Sequence, residues 1–87
     1  MSNHNFDKAY DLSTNNRKAV EAATRCGCFY CHRIFPTEAI KSYTNDDSAL
    51  CPGCRNDYII PESSVIPETS VITERFLRGM SAFWFGL

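Results

Sequence analysis

Two short motifs hold the side chains best suited to chemistry: Cys28-Phe29-Tyr30-Cys31 and Cys51-Pro52-Gly53-Cys54, separated by nineteen residues. A two-residue gap lets both thiolates of one tight turn point at a single ion, and two such turns complete a tetrahedron of soft donors. The spacing therefore predicts one structural Zn²⁺ held by Cys28, Cys31, Cys51 and Cys54. The Pro-Gly pair inside the second motif supplies its own turn. A zinc ion saturated by four thiolates has no open position at which to activate water, so this site is not catalytic. Cys26 is separated from Cys28 by one residue, a poorer chelate, and reads as a small buried apolar side chain or a thiol next to the ligands. His4 stands in a polar tail and His32 beside a ligand, neither with a carboxylate partner in the pattern. No nucleophile-base pair, phosphate-cradling glycine loop or paired general acid and base can be picked out, which argues against an enzyme.

The elements that must position these thiols form a small chain. Eighty-seven residues make one domain, and a chain so short buries too little surface to rest comfortably on apolar packing alone. A metal staple is the expected remedy, contributing on the order of 10 kcal/mol to folding. A hydrophobic content of 44% with 13% aromatics belongs to a chain that folds. No apolar run approaches the roughly 20 residues of a membrane helix, and the polar start lacks the layout of a signal peptide. Five cysteines, an odd number grouped in pairs, suit a reducing compartment. The expected location is the cytoplasm.

Three segments are expected: an N-terminal helical segment over 1–25, a zinc module over 26–60, and a loop with a C-terminal helix over 61–87. Phe6, Tyr10 and Leu12 form a weakly signalled apolar strip. Ser13-Thr14-Asn15-Asn16 followed by good helix formers predicts a helix over 15–25. Arg33-Ile34-Phe35 favours strand and stops at Pro36. A further strand over 40–44, a turn at Asn45-Asp46-Asp47 and a return through Ser48-Ala49-Leu50 predict a zinc-tethered hairpin between the motifs. After Cys54, residues 55–60 allow at most a two-turn helix before Pro61. Residues 61–68 read as a loop. Thr69, Ser70 or Thr73 caps a final helix whose face is Phe76, Leu77, Met80, Phe83 and Trp84. The expected fold class is a small α+β zinc-binding domain, treble-clef or zinc-ribbon-like, with a knuckle-hairpin-knuckle core flanked by an N-terminal and a C-terminal helix.

The order of knuckle, hairpin and knuckle resembles the treble-clef finger, a scaffold also used by HNH nucleases. That family carries an Asp-His or His-His pair on its hairpin, and between Cys31 and Cys51 the only histidine is His32, at the wrong end. A closer resemblance covers about two thirds of the chain. Residues 24–31, Ile34-Phe35-Pro36, residues 49–52 with Cys54, Phe76-Leu77 with Met80, and Trp84-Phe85 resemble a group of small bacterial cytoplasmic proteins. Some of these are immunity proteins of polymorphic toxins. The chain departs from that group after Cys54, where Arg55-Asn56-Asp57-Tyr58 replaces a glycine-led turn.

That resemblance implies a protein-binding module that blocks a cognate toxin, possessing a nuclease-like basic cleft in the case best suited to an acidic inhibitor. The formal charge is −1, and four lost thiol protons with one divalent cation take it down by two more. Tyr43, Asp46, Asp47, Asp57, Tyr58, Glu62, Glu68 and Trp84 are the candidate contacts, with Phe83 and Phe85 beside them. The alternative is a nucleic-acid-binding zinc ribbon using Arg25, Arg33, Lys41 and Arg55 on phosphates and Phe29, Tyr30 or Tyr43 on bases. Charge disfavours it, since the longest basic run is Arg17-Lys18. Arg25, Arg33 and Arg55 are expected instead to offset the anionic zinc-thiolate cluster. No membrane partner is expected.

Overall fold

The computed structural model describes residues 4–62 and 72–86. In chain order the elements are α1 (His4–Asp11), α2 (Arg17–Ala22), β1 (Arg25–Cys28), β2 (Ile34–Pro36), a 3-10 turn (Thr37–Ala39), β3 (Ile59–Pro61) and α3 (Glu74–Phe85). The strands form one antiparallel sheet in the order β2-β1-β3. The chain is a small α+β domain built on that sheet.

Strand alternation divides the molecule into two layers. Cys26 and Cys28 of β1 join Ile59 of β3, Val20 of α2, Ala49 and Cys51 in one buried cluster, the metal layer. Gly27 and Ile60, paired across the same two strands, belong to the opposite face, where Ile60 packs with Ala9, Phe29, Ile72, Leu77 and Met80. At Gly27 the sheet meets Leu77 of α3 and Ile72 before it. A Cβ there would stand 2.8 Å from both Ile72 Cγ2 and Leu77 Cδ1, so only hydrogen fits.

α3 is bounded by local chemistry. The Thr73 hydroxyl accepts the Phe76 N–H at 3.1 Å, and Gly86, at φ 69°, closes the C-terminus in the left-handed conformation. Leu77 and Met80 are buried and Phe76 is half-buried, whereas Phe83 and Trp84 stay 40% and 37% exposed. The expected helix face is therefore split between core and surface.

The helix expected over 15–25 is confined to α2. Its N-terminal amides, those of Asn16 and Arg17, donate to the Asp47 carbonyl at 2.9 and 3.1 Å, and Ala23 is already extended because the chain must enter β1. Asn16 stands at the N-cap without a side-chain cap bond. Its amide turns inward, donating to the carbonyls of Leu12 and Ile59, each at 2.8 Å, and accepting the Ala49 N–H at 2.9 Å. The weakly signalled start forms α1.

The strand expected over 40–44 does not form. The 3-10 turn occupies the approach, and the hairpin is reduced to one bridge, Tyr43↔Ala49, flanked by the bonds Leu50 N–H to Ser42 O and Thr44 N–H to Ser48 O. Residues 55–60 supply a strand rather than helical turns. Ile59 and Ile60 are β-branched, and Pro61, which lacks an N–H, is tolerated at the end of an edge strand. A strand and not a helix follows Cys54. Glu68 and the other residues over 63–71, with the candidate caps Thr69 and Ser70, lie outside the described residues.

Candidate metal centre

Two peptide turns of the same construction bring the thiols together. The first caps the β1–β2 hairpin: Cys28 N–H donates to Arg33 O at 2.9 Å, His32 N–H to Cys28 O at 2.8 Å, and Tyr30 N–H to Cys28 Sγ at 3.4 Å. The second repeats each bond at the same offsets. Cys51 N–H donates to Asn56 O and Arg55 N–H to Cys51 O, both at 2.9 Å, and Gly53 N–H to Cys51 Sγ at 3.3 Å. The residue after the second cysteine is left-handed in both, His32 at φ 68° and Arg55 at φ 69°. This is the position that the departure from a glycine-led turn put at issue. The turn forms all the same, with arginine in glycine's conformation.

The four Sγ atoms lie within 4.8 Å of one another, and the pairs Cys28–Cys54 and Cys31–Cys51 are each 3.6 Å apart. A tetrahedron with metal–sulfur bonds of about 2.3 Å has edges of about 3.8 Å, whereas a disulfide would require about 2.05 Å. The spacing fits four ligands around one ion, and all five cysteines are free thiols. This is a four-cysteine metal-binding cluster, formed by the four residues the spacing selects. Cys26 is fully buried outside it, and burial pushes its thiol up to about 11.

Burial opposes ionisation of two of these thiols. Burial raises the Cys28 thiol far above its ordinary value of 9.0 against the opposing N–H groups of Cys31 and Tyr30, and nearby Cys51 and Cys31 raise it further. Burial raises Cys51 as well. Cys54 goes the other way. Its burial is outweighed by hydrogen bonds from Asn56, whose side-chain amide lies 3.5 Å from Cys54 Sγ, and from Cys28 and Cys51. A bound cation would supply the positive charge that favours ionisation of Cys28 and Cys51.

The basic residues near the knuckles divide their work. Arg33 lies across Gly53: its Nη1 and Cδ would be 3.0 and 3.5 Å from a Cβ at that glycine, which itself would be 3.6 Å from Cys51 Sγ. Gly53 thus leaves room for the Arg33 side chain, which a Cβ would crowd. Arg25 does not serve the thiolates. It binds Glu62 through Nη2 at 2.8 Å and Nε at 3.1 Å, and Glu62 also accepts the Ile72 N–H at 2.9 Å. The Glu62 side chain is 15% exposed, so this candidate contact is a structural tie between β3 and the start of α3. Lys41 and Arg55 line a groove beside Cys51. His32 is no part of the cluster, and its Nε2 is buried with no partner among the described residues.

The other candidate contacts fall into two groups. Tyr43 lies under Arg17, whose guanidinium carbon is 4.6 Å from the ring centroid, and Arg17 also reaches Asp47 at 3.5 Å. Asp46 bonds the Thr44 hydroxyl, which holds its carboxyl below the usual range. Tyr58 and Trp84 belong instead to a belt of nine rings in successive contact. It runs from Tyr30 in the first knuckle through Tyr58, Phe85 and Phe29 to Tyr10, Trp84 and Phe83. Asp57 is exposed next to Tyr58. Sequence reasoning missed Asn16 and Asn56, polar residues whose partners are set by tertiary structure, and it missed Tyr30 as the belt's most exposed ring, 45% accessible.

No protein-family model, curated protein or solved structure matches this chain. No helix among the described residues is long and apolar enough to cross a membrane.

Proposed function

We propose that this chain is a non-enzymatic protein-interaction module held together by one structural Zn²⁺, and most concretely a cytoplasmic immunity protein that covers the active site of a cognate bacterial toxin. The observation that carries the reading is the aromatic belt, which leaves Tyr30 exposed at its knuckle end and Phe83 and Trp84 exposed at its α3 end. Large aromatic side chains held rigid by their neighbours are the residues that dominate protein interfaces. Four cysteine donors favour zinc among the common ions and leave it no open position for catalysis. The nucleic-acid alternative loses two of its contacts, because Arg25 is engaged by Glu62 and Phe29 is fully buried.

Expression of the chain should protect cells from a toxin encoded beside it, and Tyr30→Ala with Trp84→Ala should abolish protection while zinc content stays intact. Each truncation is expected to cost about 2 kcal/mol of binding. Failure to protect, together with the absence of a co-purifying protein, would refute the reading. For the metal, elemental analysis should return one zinc per chain, with Cys28→Ser or Cys54→Ser losing metal and fold together. Full occupancy after both changes would show that other residues hold the ion.

A further inference from the structure

The second knuckle borders a groove of about 320 Å³ lined by Lys41, Ser42, Leu50, Cys51, Pro52 and Arg55. Two of the lining residues are exposed cations, and among the described residues neither has a carboxylate within ion-pair distance. Four other arginines have partners or packing positions of their own: Arg17 and Arg78 pair along their helices, Arg25 holds Glu62, and Arg33 lies over Gly53. Lys41 and Arg55 therefore stand as positive charges lining one concavity beside the second knuckle.

We infer that this groove binds a small phosphate monoester of nucleotide size. A phosphate dianion placed between Lys41 and Arg55 gains charge-assisted hydrogen bonds from both, with the Ser42 hydroxyl as a third donor. The volume exceeds what a phosphate alone fills and is within the range of small-ligand sites. Leu50 and Pro52 offer apolar walls to the sugar or base. The footprint is too narrow for a nucleic-acid chain, which is held by rows of cations, each releasing counterions. The groove shares no residue with the aromatic belt, so this inference and the proposed function stand or fall separately.

Arg55 makes the test clean. Its backbone already has the left-handed conformation that glycine adopts most easily, so Arg55→Gly removes the side chain without straining the turn. The zinc-loaded full chain is titrated with adenosine monophosphate, adenosine, inorganic phosphate and a single-stranded oligonucleotide, followed by amide chemical shifts and calorimetry. Adenosine monophosphate should move the amides of Ser42, Leu50 and Arg55, inorganic phosphate the same set more weakly, and adenosine none. Lys41→Ala and Arg55→Gly should each weaken the nucleotide about tenfold, the scale of one hydrogen bond to a charged group, with zinc content unchanged. Unmoved amides would overturn the inference. Zinc loss in Arg55→Gly would show that the cation serves the cluster instead, and tighter binding of the oligonucleotide than of the nucleotide would show an extended nucleic-acid surface. Either result also overturns it.

Discussion

The matched left-handed residues His32 and Arg55 allow the two knuckles to be tested against each other. At φ near 70° a Cβ crowds the following carbonyl, at a cost of about 1–2 kcal/mol that glycine escapes. Glycine loses more backbone freedom on folding, which returns about 0.4–1 kcal/mol of that gain. The net advantage of glycine over alanine at each position is therefore about 0.5–1 kcal/mol. In a domain of this size that corresponds to a few degrees, given about 4–8 °C per kcal/mol. The informative comparison is glycine with alanine at one position, because both delete the same ring or guanidinium and differ only in the Cβ. His32→Gly should melt a few degrees above His32→Ala, and Arg55→Gly above Arg55→Ala by a similar margin. Thermal unfolding is followed by circular dichroism at fixed zinc concentration, since ligand linkage shifts the midpoint. Glycine variants melting at or below their alanine counterparts at both positions would refute the strain argument and the equivalence of the turns.

Gly27→Ala drives a methyl group to 2.8 Å from Ile72 Cγ2 and Leu77 Cδ1, and should cost about 1–3 kcal/mol as α3 is displaced; an unchanged denaturant midpoint would show that the helix yields freely. Glu62→Gln removes charge from the bonds to Arg25 and Ile72 and should cost about 1 kcal/mol at neutral pH, the lower end of the scale because Arg25 is 43% exposed. Burial works against the Glu62 carboxylate, but the bonds from Arg25 and the Ile72 N–H hold its pKa below the ordinary 4.5. Its contribution is therefore complete above that value and lost as pH falls through the lower folded one. The difference between wild type and Glu62→Gln should shrink as the pH is lowered through this window, and a difference that grows in acid would reverse the assignment.

The metal cluster was legible because residue type and spacing encode it locally: two thiols in one turn meet whatever the rest of the chain does. The final helix was legible for a similar reason, with Thr73 as its cap and apolar residues at helical intervals. β3 was not. Ile59-Ile60-Pro61 becomes a strand because β1 lies beside it, and that pairing depends on residues far away in the chain. The hairpin turn at Asn45-Asp46-Asp47 was found, but its strands shrank to one bridge once the 3-10 turn took up the approach. The acidic contacts were the least legible part. Carboxylates such as Asp47 and Glu62 look alike in sequence, and only geometry distinguishes one facing Arg17 at the surface from one sequestered by Arg25.

Asn16 has a consequence for how the molecule comes apart. Its side-chain amide ties the end of α1 to residues on both sides of the second knuckle, Ala49 before it and Ile59 after it. Chelating the ion cannot then fray the knuckle alone. Opening it breaks buried bonds that also anchor the helices, so the staple and the helical layer unfold as one cooperative unit. Amide exchange at Ala49 and in α2 should accelerate together on metal removal, making the helices a remote reporter of whether the thiols are filled.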